Sequence, residues 1–525
     1  MTVQANNKMR MARWAVSKHQ WLALAGGVSL LIWGLSGLTH IWMVLFGPQQ
    51  AVFMPPVQPV MLADARPVAE TLAAAGIDRA IAVRTVPGPE GPLYQVTTGE
   101  MDERRYFTPA TGRELPGQDA RQAEYLARHY LKETRPVASI TLQTAFDDDY
   151  PWVNRLLPVW LVKFAGDDGL VAYVHTETSS LAAVNNHAKA IQQRIFRWLH
   201  NWDWIPEGLD SLRVVLVAAL VGGLAALAVT GVMMLVTMRR VSRLPGARGW
   251  HRIAGYVLAL PLFLFSTSGV YHLVQFAIEP PVNQSRMPKP LNLASGRFPI
   301  ERDWTRIAGG QTVRSLSLVE GPQGQPLYRL DPEKGAMVVG GEHDHHDHTN
   351  AAPATSTEIR KARFDGLKPD APPIYVDAAT GEVLPLADRD LALTIARRFV
   401  GPEVALKEAT LVTRFGVDYD FRNKRLPVWK LDFAEPVKAS LFVDTATGAL
   451  VDRVADWQKP ERWVFSLAHK WNFLFPLGKL TLNMVVGGAV IALIILMALL
   501  GLWIDLKRRK ARRSMPVVGG GGVVI

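Results

Sequence analysis

Four apolar runs decide what this chain can become. Roughly Gln20–Phe46, Leu212–Met238, Ile253–Ile278 and Leu480–Ile504 are each long enough to cross a bilayer, which takes about 20 apolar residues. Hydrocarbon offers no partner to a bare peptide group, so a run of this length must be helical. Long segments of ordinary soluble composition separate the first run from the second and the third from the fourth. The fold class this dictates is an α-helical membrane protein with four transmembrane helices and two large loop domains.

Basic residues set the expected orientation, because Lys and Arg near spans stay on the cytoplasmic side. Lys8, Arg10, Arg13 and Lys18 precede the first run; Arg239, Arg240, Arg243, Arg248 and Arg252 fill the second connection; Lys507, Arg508, Arg509, Lys510, Arg512 and Arg513 follow the last. The N-terminus (1–19), the 239–252 loop and the 505–525 tail are therefore expected inside, and segments 47–211 and 279–479 outside. The formal charge of +11 reads as this topology signal, with no nucleic-acid partner. The first run is too long for a signal-peptide core and lacks a clean small-x-small cleavage site, so it reads as a retained anchor. Cysteine is absent, which excludes disulfide staples, iron–sulfur clusters and thiolate chemistry.

An internal repeat organises the rest. His19, Ser36-Gly37 and His40 in the first run recur as His251, Ser268-Gly269 and His272 in the third, with both histidine pairs 21 residues apart. "RLLPVWLVKF" from Arg155 matches "RLPVWKLDF" from Arg425, with Tyr150 and Tyr419 each eight residues before the proline. "IFRWLHNWDW" from Ile195 matches "VFSLAHKWNF" from Val464, aligning Phe196 with Phe465, His200 with His469 and Trp202 with Trp471. The runs that follow carry Gly231 and Gly501, each 23 residues after an earlier glycine, Gly208 and Gly478. Each unit reads as helix, exported domain, helix. Two such units starting on the same side make a parallel repeat.

Within the loops, "PLYQVTT", "PVWLVKF" and "SLFVDTATG" alternate as strands do. "YFTPATGREL", "IYVDAATGEVL" and "LFVDTATGALV" share a strand, a Thr-Gly turn and a returning strand, and "VAETLAAAGI" and "DLALTIARRFV" have helical spacing. The expectation is small α+β modules, two per loop. The "VDAATGEV" hairpin resembles the PepSY domain, and the whole arrangement resembles the PepSY-associated transmembrane family. Its pattern has a histidine leading into the first helix, a Ser/Thr-Gly near that helix's far end and a Leu-His element before the next. His19, Ser36-Gly37, Leu199-His200, His251 and Ser268-Gly269 fit, and Ala468-His469 is a looser match. The resemblance spans nearly the whole chain, except the extreme termini and an insert near residue 340. It implies PepSY-like exported domains and a bacterial inner-membrane location. For some relatives it implies reduction of ferric siderophores through b-type haem.

Six histidines fall at span ends: His19, His40, His200, His251, His272 and His469. Ionisable groups there are costly and are candidates for function. Twenty-one residues rise about 31 Å along a helix and return to nearly the same face, so each pair marks both boundaries of one span. Bis-histidine haem b ligation needs imidazoles from facing helices. His19 and His251 can share one haem at the cytoplasmic side; the other four histidines suffice for one or two more, giving two or more haems. Histidines at a membrane interface also arise without a cofactor, and a duplication copies neutral residues too. His129, His175 and His187 have no repeat partner and read as surface residues. Trp202, Trp204 and Trp471 read first as an aromatic belt, with a role beside a cofactor as the alternative.

"GGEHDHHDHTN" from Gly340 interrupts the second loop. His343, His345, His346, His348, Asp344 and Asp347 suit a first-row divalent metal, but without the fixed spacing of a structural zinc site. No nucleotide-binding loop, hydrolase elbow or zinc-protease motif is present. The cytoplasmic parts are too short for a flavin or nicotinamide domain, so electrons must come from a separate donor, a cytoplasmic reductase or quinol. The function expected is transmembrane electron transfer to a ferric siderophore or other iron complex. The alternatives are a non-enzymatic membrane-anchored PepSY binding or regulatory protein and a metal-transport accessory.

Overall fold

The computed structural model describes residues 2–60, 65–238, 246–278, 286–293, 313–332, 362–477 and 480–513. The chain divides into two compact units, Met1–Gly47 with Ile191–Pro280 and Pro460–Ile525, and Pro48–Ala190 with Pro281–Lys459.

The first unit is built on four long helices, Thr2–Phe46, Asp210–Thr237, Ala247–Ile278 and Leu480–Arg513. All four are long and apolar enough to cross a membrane. The first begins well before the apolar run at Gln20, because the preceding Ala, Met, Lys and Arg residues favour helix and no glycine or proline intervenes. His19 therefore lies inside a continuous helix. Lipid gives apolar helices little reason to associate, so close approach through small residues carries the packing. A Cβ at Gly26 would lie 3.1 Å from Leu227, one at Gly27 2.5 Å from Leu502, and one at Gly34 2.8 Å from Ile495. The first long helix is thus seated between the second and the fourth. Leu30, Leu224, Leu258, Leu262 and Ile494 meet in a core to which all four contribute. Leu212, Val215, Leu260 and Leu496 stay exposed, as a lipid-facing surface requires. The hydroxyls of Ser266 and Ser268 donate back to the Leu262 and Leu264 carbonyls at 2.7 and 2.6 Å, which satisfies them without a partner helix.

The second unit is α+β. Its first segment supplies β1 (Arg79–Ala80), β2 (Ala82–Val86), β3 (Leu93–Thr97), β4 (Arg105–Phe107), β5 (Val137–Gln143), β6 (Val159–Phe164), β7 (Val171–His175) and β8 (Ser180–Asn185). The second segment supplies β9 (Leu291–Asn292), β10 (Val313–Glu320), β11 (Pro326–Pro332), β12 (Ile374–Asp377), β13 (Val383–Leu384), β14 (Leu406–Val412), β15 (Val428–Phe433), β16 (Ala439–Asp444) and β17 (Ala449–Ala455). Strands β5 to β8 form one four-stranded antiparallel sheet in sequence order, and β14 to β17 form another. Each is covered by a helix with apolar residues at helical spacing. Ala123, Leu126, Ala127 and Tyr130 of Gln118–Leu131 meet Val162, Phe164 and Val174; Leu391, Ala392, Ile395 and Ala396 of Asp388–Val400 meet Leu431, Phe433 and Leu441. Each fully buried Leu or Phe contributes about 1.5–3 kcal/mol.

The two segments do not fold as separate bodies. A seven-stranded sheet runs in the order β13-β12-β11-β10-β2-β3-β4, and at its centre β2 pairs antiparallel with β10, placing Arg84 opposite Ser317. Neither segment closes its own sheet: β2 and β10 would each be an open edge, and pairing them removes both. Buried charge crosses the same boundary. Arg155 donates to Asn423 at 2.7 Å, and Arg425 is paired with Glu177. Burial pushes the Glu177 carboxyl up, but Arg425 and Arg84 outweigh it and hold the group at about 2.

The turns explain the recurring Thr-Gly. Asp377 Oδ1 accepts from the amides of Ala379 and Thr380 at 2.8 and 2.9 Å, and Asp444 Oδ1 from Ala446 at 2.9 Å. The glycines that close these turns, Gly112, Gly381 and Gly448, have φ of 67°, 74° and 74°, a region that favours glycine. His175 stands in the corresponding turn of β7–β8, where Nδ1 bonds Thr178 Oγ1 at 2.8 Å. It is 4% exposed, which corrects its reading as a surface residue, and burial pushes its pKa down to about 3.

The repeat register is fixed by the tyrosines. Tyr150 OH donates to the Leu156 carbonyl and Tyr419 OH to the Arg425 carbonyl, while Arg155 and Lys424 share a left-handed backbone at φ 68° and 56°. Arg155 therefore corresponds to Lys424, and Arg425 to Leu156, the register that the equal tyrosine-to-proline spacing gives and the two leading arginines do not. One constellation escaped the sequence reading altogether. Tyr106 and Trp160 donate to Asp119 at 2.7 and 2.8 Å, and Tyr375 and Trp429 donate to Asp388 at 2.6 Å each. The tyrosine lies 13 residues before the aspartate and the tryptophan 41 after it in both cases, a spacing that was available to find it.

Candidate cofactor site

The helices bring four of the six span-end histidines into two facing pairs. His19, well inside the first long helix, and His251, in the first turns of the third, have ring centroids 6.4 Å apart. His200 and His469 are also 6.4 Å apart. Each lies at the end of a wide π-type turn, Arg197–Asn201 or Phe465–His469, preceding the second or fourth long helix. Such turns are rare and concentrate at functional sites. Both are followed within two residues by a tryptophan with positive φ, Trp202 at 60° and Trp471 at 57°, a strained conformation for an aromatic residue. Seventeen residues separate His19 from Ser36, the partner of His200, so the two pairs stand about 25 Å apart along the first long helix.

All four imidazoles are anchored through the same nitrogen. His19 Nδ1 lies 3.2 Å from the Leu227 carbonyl and 3.2 Å from Thr230 Oγ1. His251 Nδ1 lies 3.2 Å from the Met497 carbonyl. His469 Nδ1 lies 3.3 Å from the Phe265 carbonyl and 3.3 Å from Ser268 Oγ, and His200 Nδ1 lies 2.9 Å from Ser36 Oγ. A carbonyl can only accept, so Nδ1 carries the proton in His19, His251 and His469. Ser36 Oγ donates to the Trp33 carbonyl at 3.1 Å, leaving its lone pair for the Nδ1–H of His200. Among the described residues, Nε2 of these four makes no hydrogen bond. A neutral imidazole with Nδ1–H held by the protein and Nε2 unprotonated is the form that ligates metal.

The surroundings fit a flat metal-bearing group. An imidazole–metal bond of about 2 Å on each side, added to the two ring radii, accounts for the separation within each pair. Small residues adjoin the rings: a Cβ at Gly501 would lie 2.9 Å from His251 Cε1, one at Gly231 3.4 Å from His19 Cε1, and one at Gly269 3.6 Å from His469 Cε1. Aromatic rings back the second pair. Phe196 stacks on His200 and Phe465 on His469 at 4.7 Å each, and Trp202 stacks on Trp33 and Trp471 on Phe265 at 5.6 Å each. Trp204 is exposed.

His40 and His272 lie behind this pair. His40 packs on Phe196 at 5.0 Å and His272 on Phe465 at 3.9 Å. His272 Nδ1 also lies 2.5 Å from Glu461 Oε1, whereas the corresponding position in the first half is Gln192. Glu461, Thr230, Trp33 and Phe265 were not singled out in the sequence; only the offset that aligns Ser36 with Ser268 would have marked Trp33 and Phe265. The His343–His348 tract lies outside the described residues, and among those described no group of three or more His, Asp or Glu side chains is placed to hold a metal ion.

Fold and site together define a multi-pass helical protein, four helices long and apolar enough to cross a membrane, joined to an α+β body. No protein-family model matches the chain, and no curated protein matches it.

Proposed function

We propose that this protein is a transmembrane b-haem oxidoreductase that carries electrons across a bacterial inner membrane to a ferric complex outside. The observation that carries this reading is the pair of facing histidine couples, each ring fixed through Nδ1. His19 and His251 would hold one haem, and His200 and His469 a second. Haem in these positions would supply one-electron transfer along the bundle. The protein's part is to fix ligand orientation through Leu227, Met497, Phe265 and the two serines, and to bury the sites among apolar helices. Electrons enter from a separate donor, a cytoplasmic reductase or quinol, and one is consumed for each Fe(III) reduced to Fe(II). Iron is released because Fe(II) is held far less firmly by the hard oxygen ligands of a siderophore.

The same reading includes a parallel internal repeat and PepSY-like modules in the α+β body. Its support is the matching sheet order of β5–β8 and β14–β17 and the two Tyr-Asp-Trp constellations. It also takes both termini as cytoplasmic. Reporter fusions at about residues 120, 245, 400 and 515 test this through the positive-inside rule; a periplasm-only reporter active at 245 would overturn it. The central experiment is a reduced-minus-oxidised spectrum of the purified protein. A b-type signal is expected. A colourless, folded preparation would leave a non-enzymatic binding or regulatory protein in its place.

A further inference from the structure

Several cations in the α+β body have a carboxylate partner, as Arg155, Arg329, Arg425 and Lys459 do. One cluster of cations instead gathers on aromatic rings. Arg363 and Lys424 form no ion pair among the described residues, although both lie against the same ring. The Arg363 guanidinium is 5.0 Å from the centre of Phe421 and 6.0 Å from that of Phe364, and Lys424 Nζ is 5.2 Å from Phe421. The two rings meet edge to face at 6.2 Å. Arg422 is adjacent and bonded to Asp420 at 2.8 Å, and the Asp420 carboxylate also acts, more weakly than burial, on Arg363 and Lys424. Lys189, from the other segment, donates to the Val184 carbonyl at 2.7 Å and forms no ion pair among the described residues. Two segments distant in sequence thus bring positive charge together around two aromatic rings, and the Arg363 charge also acts on Lys189.

We propose that Arg363, Lys424 and Lys189 form a binding site for the clustered oxygen anions of a ferric chelate of the carboxylate or catecholate type. The proposal rests on the oxidoreductase reading and names the substrate class it would serve. Cation–π contact stabilises each cation by about 0.5–2 kcal/mol, but it neutralises neither charge. Burial first, and the Arg363 charge second, push both lysines down to about 8. An anion with several oxygens, shared between a guanidinium fork and two ammonium groups, relieves that mutual repulsion. The fold does not require the arrangement. At the corresponding turn of the first segment Trp152 and Val153 replace Phe421 and Arg422, and the residue matching Lys424 is Arg155, buried against Asn423 and Asp452.

The test is titration calorimetry on the purified full-length protein with three ligands: ferric citrate, iron-free citrate and a neutral ferric trihydroxamate complex. Wild type should bind ferric citrate tightest, and R363Q/K424Q should weaken it at least tenfold while trihydroxamate binding stays unchanged. Lys189→Gln, outside the aromatic contacts, should weaken it severalfold and guards against misfolding of the double variant. Unchanged ferric citrate affinity in both variants would overturn the site, as would equal wild-type affinity for iron-free citrate. The b-type spectrum is recorded on the same samples. Its absence with the binding pattern intact would sink the oxidoreductase reading alone; its presence with binding unaffected by substitution would sink this site alone.

Discussion

The two halves of the chain build the same histidine environment and then diverge at its edges. In both halves a π-type turn presents a histidine stacked on phenylalanine, a span serine meets its Nδ1, and a left-handed tryptophan stacks on the aromatic residue three positions before that serine. The differences lie one layer out. Gln192 corresponds to Glu461, Gly231 has more room than Gly501, and His175 occupies the place of Asp444. What the halves share is what fixes a ring and its tautomer. What they do not share adjusts surroundings that tolerate change.

If this comparison is sound, the two members of each histidine pair are equivalent. Under the proposed two-haem reading, replacing His19 or His251 by Ala should each remove about half of the haem absorbance, as should replacing His200 or His469, with the protein still in the membrane. These are the largest effects expected. A variant of one member that keeps full absorbance while its partner's does not would break the equivalence.

Glycine offers a finer cut. Gly501→Ala puts a methyl group 2.9 Å from His251, whereas Gly231→Ala puts one 3.4 Å from His19. The first must displace the ring and should lower haem occupancy and shift the spectrum; the second should cost little, because a shift of a few tenths of an ångström accommodates it. Equal loss in both would mean that the pair is not held as described.

The His175 turn gives a pH-dependent difference in the α+β body. Burial lowers the folded pKa of His175 to about 3, from about 6.5 unfolded. The unfolded state therefore binds the proton first. The stability from neutral His175 is fully present above pH 6.5 and is lost progressively as pH falls toward 3, at up to about 1.4 kcal/mol per pH unit. His175→Asn retains a turn acceptor without the titration, so its urea midpoint should fall less between pH 6.5 and 4. A parallel fall in both proteins would assign the acid sensitivity to other groups.

The smallest effect expected is that of Glu461→Gln, which makes the second half copy the first. Replacing the charged acceptor of the His272 bond by a neutral amide oxygen should cost about 1 kcal/mol and leave haem content unchanged, read by thermal melt and absorbance. A large spectral shift would instead make His272 a ligand.

Much of the architecture was legible from short-range pattern. The four long helices follow from run length, and Asp377 and Asp444 announce their turns because an Asx turn closes within three residues. The Tyr-Asp-Trp constellations were recoverable from spacing, though not from composition. His175 reads as a surface residue because Thr176, Glu177 and Thr178 follow it; its turn is covered from β2 and β3, where Arg84 donates to the Glu177 carbonyl and Gln95 to that of Thr176.

The sequence by itself determined which helix face each span histidine occupies, since 21 residues at a fixed helical pitch leave no freedom in that. It also determined that the long runs must be helical, because peptide groups find no partner in hydrocarbon. Which histidine faces which was decided only by tertiary structure. His200 finds Ser36 164 residues away and His19 finds Leu227 208 residues away, contacts set by how Gly26, Gly27 and Gly34 let the helices approach. The joining of both segments through β2 and β10 was likewise invisible. Each strand alternates equally well alone, and nothing local tells an edge which distant edge will close it.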